Sequence, residues 1–277
     1  MEKVLINPTQ NTQMDKSIKK IYVVGFPKSG NTWLVRLLAD SLCVLIGGKD
    51  ENEEIEEFNR EIKKRNSSPE FQIIKSHALP EDFFSDKKQS IYGIVYTQRD
   101  FRDVIVSAFF HTYRSIDKNK VKLRSIMDLI LSNPLETLKY IAYRALFWKK
   151  LIFLTRKGWG GNMGWHEHID KWRAAEGEYP RIHTSFTRYE SLKEDVINSL
   201  KKILDDLNLE VKSGMLDEAV RRQSFKNKKA YFQQKYQETG EQKYQNMYSF
   251  MRKGETGDWI NYFSPAMTFY LLKISHE

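Results

Sequence analysis

A glycine-bounded loop near the start of the chain carries the first recognisable chemistry. Gly25-Phe26-Pro27-Lys28-Ser29-Gly30 runs into Asn31 and Thr32. Backbone N–H groups of a tight loop, continued by a helix N-terminus, form a cradle for an anion. Gly25 and Gly30 permit close backbone approach, Lys28 adds a charge, and Ser29 and Thr32 add hydroxyl donors. The glycine spacing and Thr32 match the phosphate-binding pattern G-x-x-x-x-G-K-[ST]. Asn31 stands where that pattern has its lysine, and the lysine lies inside the loop as Lys28. A loop altered in this way cannot hold β- and γ-phosphates in the usual manner, and Pro27 stiffens it further. The simpler alternative is a connecting loop that only starts a helix.

The elements on either side suit an anion cradle. Ile21-Tyr22-Val23-Val24 is a β-branched run between charge and glycine, a buried-strand signal. Residues 31–42 carry apolar side chains at helical spacing. Residues 71–75 and 91–97 predict two further strands, ending at Lys75-Ser76-His77 and Arg99. Residues 181–188 predict a fourth strand, interrupted by His183 and Arg188. Helical patterns cover residues 51–64 (a charged helix or lid), 101–113, 125–154 with a break at Pro134, 165–172 and 191–207. The four glycines in residues 158–164 require a loop. Beyond Gly214 the chain is basic and aromatic with low regularity, before a last helix. Short strands alternating with helices predict an α/β fold, a parallel sheet with helices on both faces. Residues 1–18 read as a mobile leader and 19–277 as one domain.

Several segments resemble the cytosolic sulfotransferase family. Phe26-Pro27-Lys28-Ser29-Gly30-Asn31-Thr32-Trp33 is similar to its 5′-phosphosulfate loop, with Asn31 in place of the usual threonine; an amide can still donate a hydrogen bond. The resemblance implies a P-loop-like three-layer sandwich and the donor PAPS (3′-phosphoadenosine 5′-phosphosulfate), with PAP as product. It implies that Lys28 meets the bridging oxygen of the transferred group and that Trp33 stacks on adenine. Lys75-Ser76-His77 resembles the family's lysine-threonine-histidine segment, which implies His77 as general base. An imidazole titrating near neutrality suits that task. Residues 99–107 resemble the 3′-phosphate segment, with Arg99 giving a bidentate contact and Ser107 a hydroxyl. The alternative for Arg99 is a helix-start ion pair with Asp103. Arg252-Lys253-Gly254 resembles the late loop that closes over the 3′-phosphate. Tyr189-Glu190 and Ser224-Phe225 resemble segments whose rings meet adenine.

Composition bounds the remaining choices. The chain has 277 residues, a net charge of +9 and one cysteine, Cys43, which excludes an internal disulfide and fits a reducing, cytoplasmic setting. The basic surplus suggests an anionic partner or a lysine-rich solvated surface. No run of eighteen apolar residues predicts a transmembrane helix, and residues 1–20 lack a secretory h-region. No metal-ligand cluster is evident, and the resemblance implies no metal. The family's C-terminal dimer segment is missing: Ile260, Ser264-Pro265 and Thr268 stand at its positions. That implies a monomer or a different dimer.

The expected reaction moves a sulfuryl group onto a hydroxyl or amine of a small-molecule acceptor. His77 takes the proton, Lys28 and Lys75 stabilise developing charge, and Ser107 holds Lys28 back until the acceptor arrives. Phe83, Phe84, His111, Tyr113, Trp165 and His166 are the expected acceptor-side residues. Their aromatic character suits a phenol, sterol or flavonoid; the histidines suit a cationic alkaloid equally. The resemblance extends to bacterial enzymes of secondary metabolism. A P-loop nucleotide kinase and a non-catalytic nucleotide- or nucleic-acid-binding module are the competing readings. No nucleic-acid or membrane partner is expected.

Overall fold

The computed structural model describes residues 4–5, 18–48, 53–67, 69–84, 90–159, 163–251 and 253–274. The chain divides into two compact units, Met1–Gln98 with Lys171–Gly254, and Arg99–Asp170 with Glu255–Glu277.

The first unit is built on parallel strands. In chain order its elements begin with β1 (Val4–Leu5), β2 (Lys19–Val24), α1 (Asn31–Leu42), β3 (Leu45–Gly47) and α2 (Glu53–Arg65). Then come β4 (Phe71–Ser76), α3 (Pro80–Phe84) and β5 (Ile91–Gln98). Five strands form a parallel sheet in the order β3-β4-β2-β5-β6, where β6 is His183–Arg188. A parallel sheet needs crossovers, and the helical segments between these strands supply them. β1 pairs in parallel with a short β7 (Leu209–Glu210), so part of the expected leader is an ordered strand.

Alternation on the strands gives both faces apolar cover. Ile21, Val23, Phe71, Ile73 and Val95 join Leu34, Leu37, Leu38, Leu200, Ile203 and Leu204 in one core. These last residues belong to α1 and to α9 (Val196–Asp206), which follows α8 (Tyr189–Glu194). The other face carries Tyr22 and Tyr96, packed on Phe83 (ring centroids 4.8 Å apart) and Trp172 (6.0 Å). The sheet is therefore sandwiched, as the patterning predicts. Val24 is in register with both Ser76 and Tyr96, and Gln98 with Arg188. The loops after β2 and β4 and the start of α8 thus leave from one edge of the sheet, the carboxyl edge where ligands of such sheets bind.

The second unit is helical. It holds α4 (Phe101–Thr112), α5 (Ile126–Leu131), α6 (Pro134–Arg156), the first part of α7 (Trp165–Ala174) and α13 (Pro265–Ile274). Ser125 and Asp128 form a capping box, and Asn133 caps α6 with Pro134 at its start, so residues 125–154 are two helices. Phe109, Phe147, Tyr262 and Phe263 pack edge to face or stacked at 5.1–6.2 Å. Among the described residues no helix is long and apolar enough to cross a membrane.

The region after Gly214 departs from the expected low regularity. It forms α10 (Met215–Gln223), α11 (Phe225–Thr239) and α12 (Gln242–Phe250). Glycines at positive φ stop and start these helices: Gly214 at 83° caps α10 and Gly240 at 69° ends α11.

Candidate active site

The loop after β2 is shaped by two close approaches. A Cβ on Gly25 would lie 2.3 Å from the Thr97 carbonyl oxygen. A Cβ on Gly30 would lie 2.5 Å from the Tyr189 ring, and Gly30 holds φ at 97°. Both glycines are thus required by their protein neighbours. Lys28 also sits at positive φ, 75°, which costs a non-glycine residue roughly 1–2 kcal/mol. The Thr97 hydroxyl donates to the Ser29 carbonyl at 3.3 Å, fixing the loop to β5. Gly30 caps α1 without any side-chain hydrogen bond; Trp33 N donates to the Gly30 carbonyl at 3.0 Å, and the Asn31 and Thr32 amides before it are left for another acceptor. The Ser29 hydroxyl is fully buried with no hydrogen-bond partner among the described residues. An anion held by these amides and this hydroxyl fits the arrangement.

Asn31 works inward. Its Nδ2 donates to the Gly25 carbonyl at 3.1 Å and the Ser76 carbonyl at 3.4 Å, tying the β2 loop to the end of β4. Both side-chain N–H groups are spent on backbone, so Asn31 is left with its main-chain N–H for a ligand, not the side-chain donor expected from sequence.

His77 follows β4, exposed, with Nδ1 2.7 Å from the Gly25 carbonyl oxygen. A carbonyl can only accept, so the proton is on Nδ1. In the neutral ring the lone pair is then on Nε2. The 3.4 Å approach of Asn31 Nδ2 to Nδ1 is a contact between two donors. The turn is braced twice more: Ala78 N donates to Ser76 Oγ at 3.1 Å, and Trp172 Nε1 to the Ala78 carbonyl at 3.2 Å. Lys75, the last residue but one of β4, is in register with Val23.

Aromatic residues gather on the α1 side of the loop. Trp33 meets Tyr189 edge to face at 5.8 Å, Lys193 lies over the indole at 5.5 Å, and Trp33 Nε1 donates to the Gln223 carbonyl at 3.0 Å. Ser224 caps α11 by accepting from Asn227 N at 3.3 Å, which fixes Phe225 at its first turn. The Phe225 ring lies against Gly254, where a Cβ would come within 2.4 Å. Trp33, Tyr189, Ser224, Phe225 and Gly254 are therefore linked within the first unit, with Lys253 next to Gly254. Arg252 lies outside the described residues.

In the second unit Arg99 is buried and donates to the Glu255 carbonyl at 2.9 Å, while its closest approach to Asp103 is 3.9 Å. The expected alternative, an Arg99–Asp103 pair, is loose. Asp103 instead accepts from Gly257 N at 2.7 Å and Trp259 N at 3.0 Å. Burial pushes its carboxyl above the usual range, and Arg99 and the two amides pull against that. Asp100 caps α4, and Arg102 lies over Trp259 at 3.6 Å. Ser107 is half-buried on α4.

The expected acceptor-side residues are divided between the two units. In the first unit Phe83 is closed in by Tyr22 and Trp172, and Phe84 stacks on Tyr179 at 3.5 Å. In the second, His111 faces Trp159 at 5.8 Å and Tyr113 packs on Phe109 at 5.0 Å. Trp165 stacks on Phe101 at 5.0 Å beside His166, and its buried Nε1 has no partner among the described residues.

A family model described as "Sulfotransferase domain" matches residues 19–277. The chain belongs to the sulfotransferase family. It is an enzyme, and its reaction is sulfuryl transfer, which sets the kinase alternative aside. Sulfotransferase 2A6 of Mus musculus is 26% identical over 282 residues, covering 97% of this chain and 86% of that protein. Amine sulfotransferase of Oryctolagus cuniculus is 28% identical over 256 residues, covering 86% and 73%. Among solved structures, mouse sulfotransferase SULT7A1 complexed with PAP is similar at 24% identity with a TM-score of 0.60, covering 94% of this chain and 83% of that one. Retinol dehydratase in complex with retinol and PAP is similar at 18% identity and a TM-score of 0.55, covering 95% and 82%.

Some residues that shape this sulfotransferase's loops escape a sequence reading. Thr97 and Gln223 act through backbone or buried contacts. The sequence offers Asp103 only as a partner for Arg99. Asp40, in the apolar run of α1, offered one signal: a charge on a helix face that should be buried.

Proposed function

We propose that the protein transfers the sulfuryl group of PAPS to a hydroxyl or amine of a small acceptor, with His77 Nε2 as general base. The observation that carries this is the Nδ1–H contact to the Gly25 carbonyl. It fixes the tautomer whose basic nitrogen is Nε2, on a residue bonded to the loop whose amides and Ser29 hydroxyl suit a phosphosulfate. PAPS, when bound, supplies an activated sulfuryl group, and PAP is the product.

The chain's own groups take distinct tasks. The amides at the start of α1, with Ser29 and Thr32, hold the 5′ end. Lys28 and Lys75 offset negative charge as it develops. Trp33, Tyr189 and Phe225 contact adenine. Arg99 and Ser107 are assigned to the 3′-phosphate by resemblance, and so are Arg252, Lys253 and Gly254. His77 Nε2 receives the acceptor proton as the acceptor attacks. No task here requires a metal. Residues 19–277 act as one catalytic domain in this reading.

The PAP-bound structures of similar proteins support the donor assignment. Calorimetric titration tests it. Tight binding of PAP without magnesium is expected; a preference for ATP with magnesium would overturn it.

A further inference from the structure

Asp40 is almost completely buried, at 1% exposure, and the hydrogen-bond partners of its carboxylate among the described residues are not ones assigned above to the donor. Its carboxylate receives Arg65 Nη2 at 2.7 Å, Arg222 Nη2 at 2.8 Å, Arg222 Nε at 3.0 Å and Gln223 Nε2 at 2.7 Å. The Arg222 pair is a two-point fork, the geometry that fixes orientation as well as distance. Desolvating a carboxylate is costly, and this set of donors offsets the cost only while the geometry holds.

The position of Asp40 explains why such a hub stands here. Trp33 and Asp40 lie about two helical turns apart on α1, on the same face. Gln223 bridges that interval. Its side chain donates to Asp40, and its main-chain carbonyl accepts from Trp33 Nε1 at 3.0 Å. The next residues, Ser224 and Phe225, form the cap and first turn of α11, against which Gly254 packs. One residue therefore straps α1 at both ends and delivers the second aromatic segment.

We propose that Asp40 is a positioning residue of this sulfotransferase: through Arg222 and Gln223 it sets the mutual placement of Trp33 and Phe225, and so the grip on the adenine of the donor. The inference rests on the assignment of these two rings to adenine. It separates Asp40 from a general staple. A staple stabilises the fold and acts on every ligand alike; a positioning residue acts on the base and leaves the phosphates alone.

The test compares PAP with ribose 3,5-bisphosphate, which lacks the base, on the full chain. Base–aromatic stacking contributes enough that misplacing one ring costs about tenfold in affinity. Asp40→Asn keeps the shape and removes the charge. It is expected to raise the PAP Kd and the KM for PAPS about tenfold, with kcat at saturating donor within about twofold. Affinity for the abasic bisphosphate should stay within about twofold. Gln223→Ala, which leaves the carbonyl in place, should show the same split to a smaller degree and serves if Asp40→Asn does not fold.

Trp33→Ala separates this inference from the donor assignment. If Trp33→Ala weakens PAP binding while folded Asp40→Asn and Gln223→Ala bind as the unaltered protein does, the positioning role is refuted and the adenine assignment stands. Equal loss of both ligands would also refute it, since that is the behaviour of a staple. If the unaltered protein does not bind PAP, or Trp33→Ala leaves its affinity unchanged, the adenine assignment itself fails and the positioning role falls with it.

Discussion

Gly30→Ala is a small change with a large expected effect. Gly30 holds φ at 97°, and alanine there loses roughly 1–2 kcal/mol to clash of its own Cβ with the backbone. The new methyl would also lie 2.5 Å and 3.0 Å from two Tyr189 ring carbons. Tyr189 is buried and cannot move without disturbing Trp33, its edge-to-face neighbour. Overpacking of that kind costs about 1–3 kcal/mol. The sum, about 2–5 kcal/mol, corresponds to a fall in Tm of roughly 4–20 °C for a chain of this size. Displacing Tyr189 and Trp33 should also raise the PAP Kd about tenfold or more. Thermal melts with and without PAP, with calorimetric titration, read both effects. A Tm and a Kd equal to those of the unaltered protein would refute the claim that Gly30 is dictated by Tyr189.

Three further substitutions probe the supporting contacts. Asn31→Asp places a carboxylate against the Gly25 and Ser76 carbonyl oxygens and removes both donors; the Gly25 carbonyl keeps His77 Nδ1–H, and about 1–3 kcal/mol of stability in all should be lost, measured by urea melts. Asp103→Ala leaves the Gly257 and Trp259 amides without their acceptor, and hydrogen exchange at those two amides should accelerate at least tenfold. Asp40 predicts a pH dependence. Burial alone would raise its carboxyl, but the hydrogen bonds from Arg222, Gln223 and Arg65 outweigh burial and hold it below the usual carboxylate range. The folded state thus binds that proton less tightly than the unfolded state. The stabilisation is present above the unfolded pKa and disappears as pH falls through the lower folded value. Urea melts from neutral to acid pH should show the advantage of the unaltered protein over Asp40→Asn narrowing in that acid window and nowhere above it.

Much of this was legible in the residue order because the relevant signals are local. The β-branched run before Gly25 and the apolar spacing of residues 31–42 locate β2 and α1, and the helix bounds agree with the pattern to the residue. His77 stands in the turn after β4, Trp33 in the first turn of α1 and Tyr189 at the start of α8. What was not legible depends on partners distant in the chain. The spacing of the loop glycines points to ligand approach and cannot show that Thr97 and Tyr189 crowd them. Asn31 was expected to donate to the ligand, and only the Gly25 and Ser76 carbonyls reveal that its donors point the other way. The helices after Gly214 were missed because α11 buries little beyond Phe232 and shows no clear apolar stripe. Its boundaries were nevertheless written in Ser224 and Gly240. β3 is three residues long, too short for an alternation to register.

The most direct test of the central claim is transfer of labelled sulfuryl from PAPS to a panel of phenol, sterol and amine acceptors, run with the unaltered protein and with His77→Ala. The account predicts transfer to at least one acceptor, a fall in kcat of about 10²-fold or more in the variant, and a PAP affinity that stays the same. Transfer at full rate by His77→Ala would contradict it.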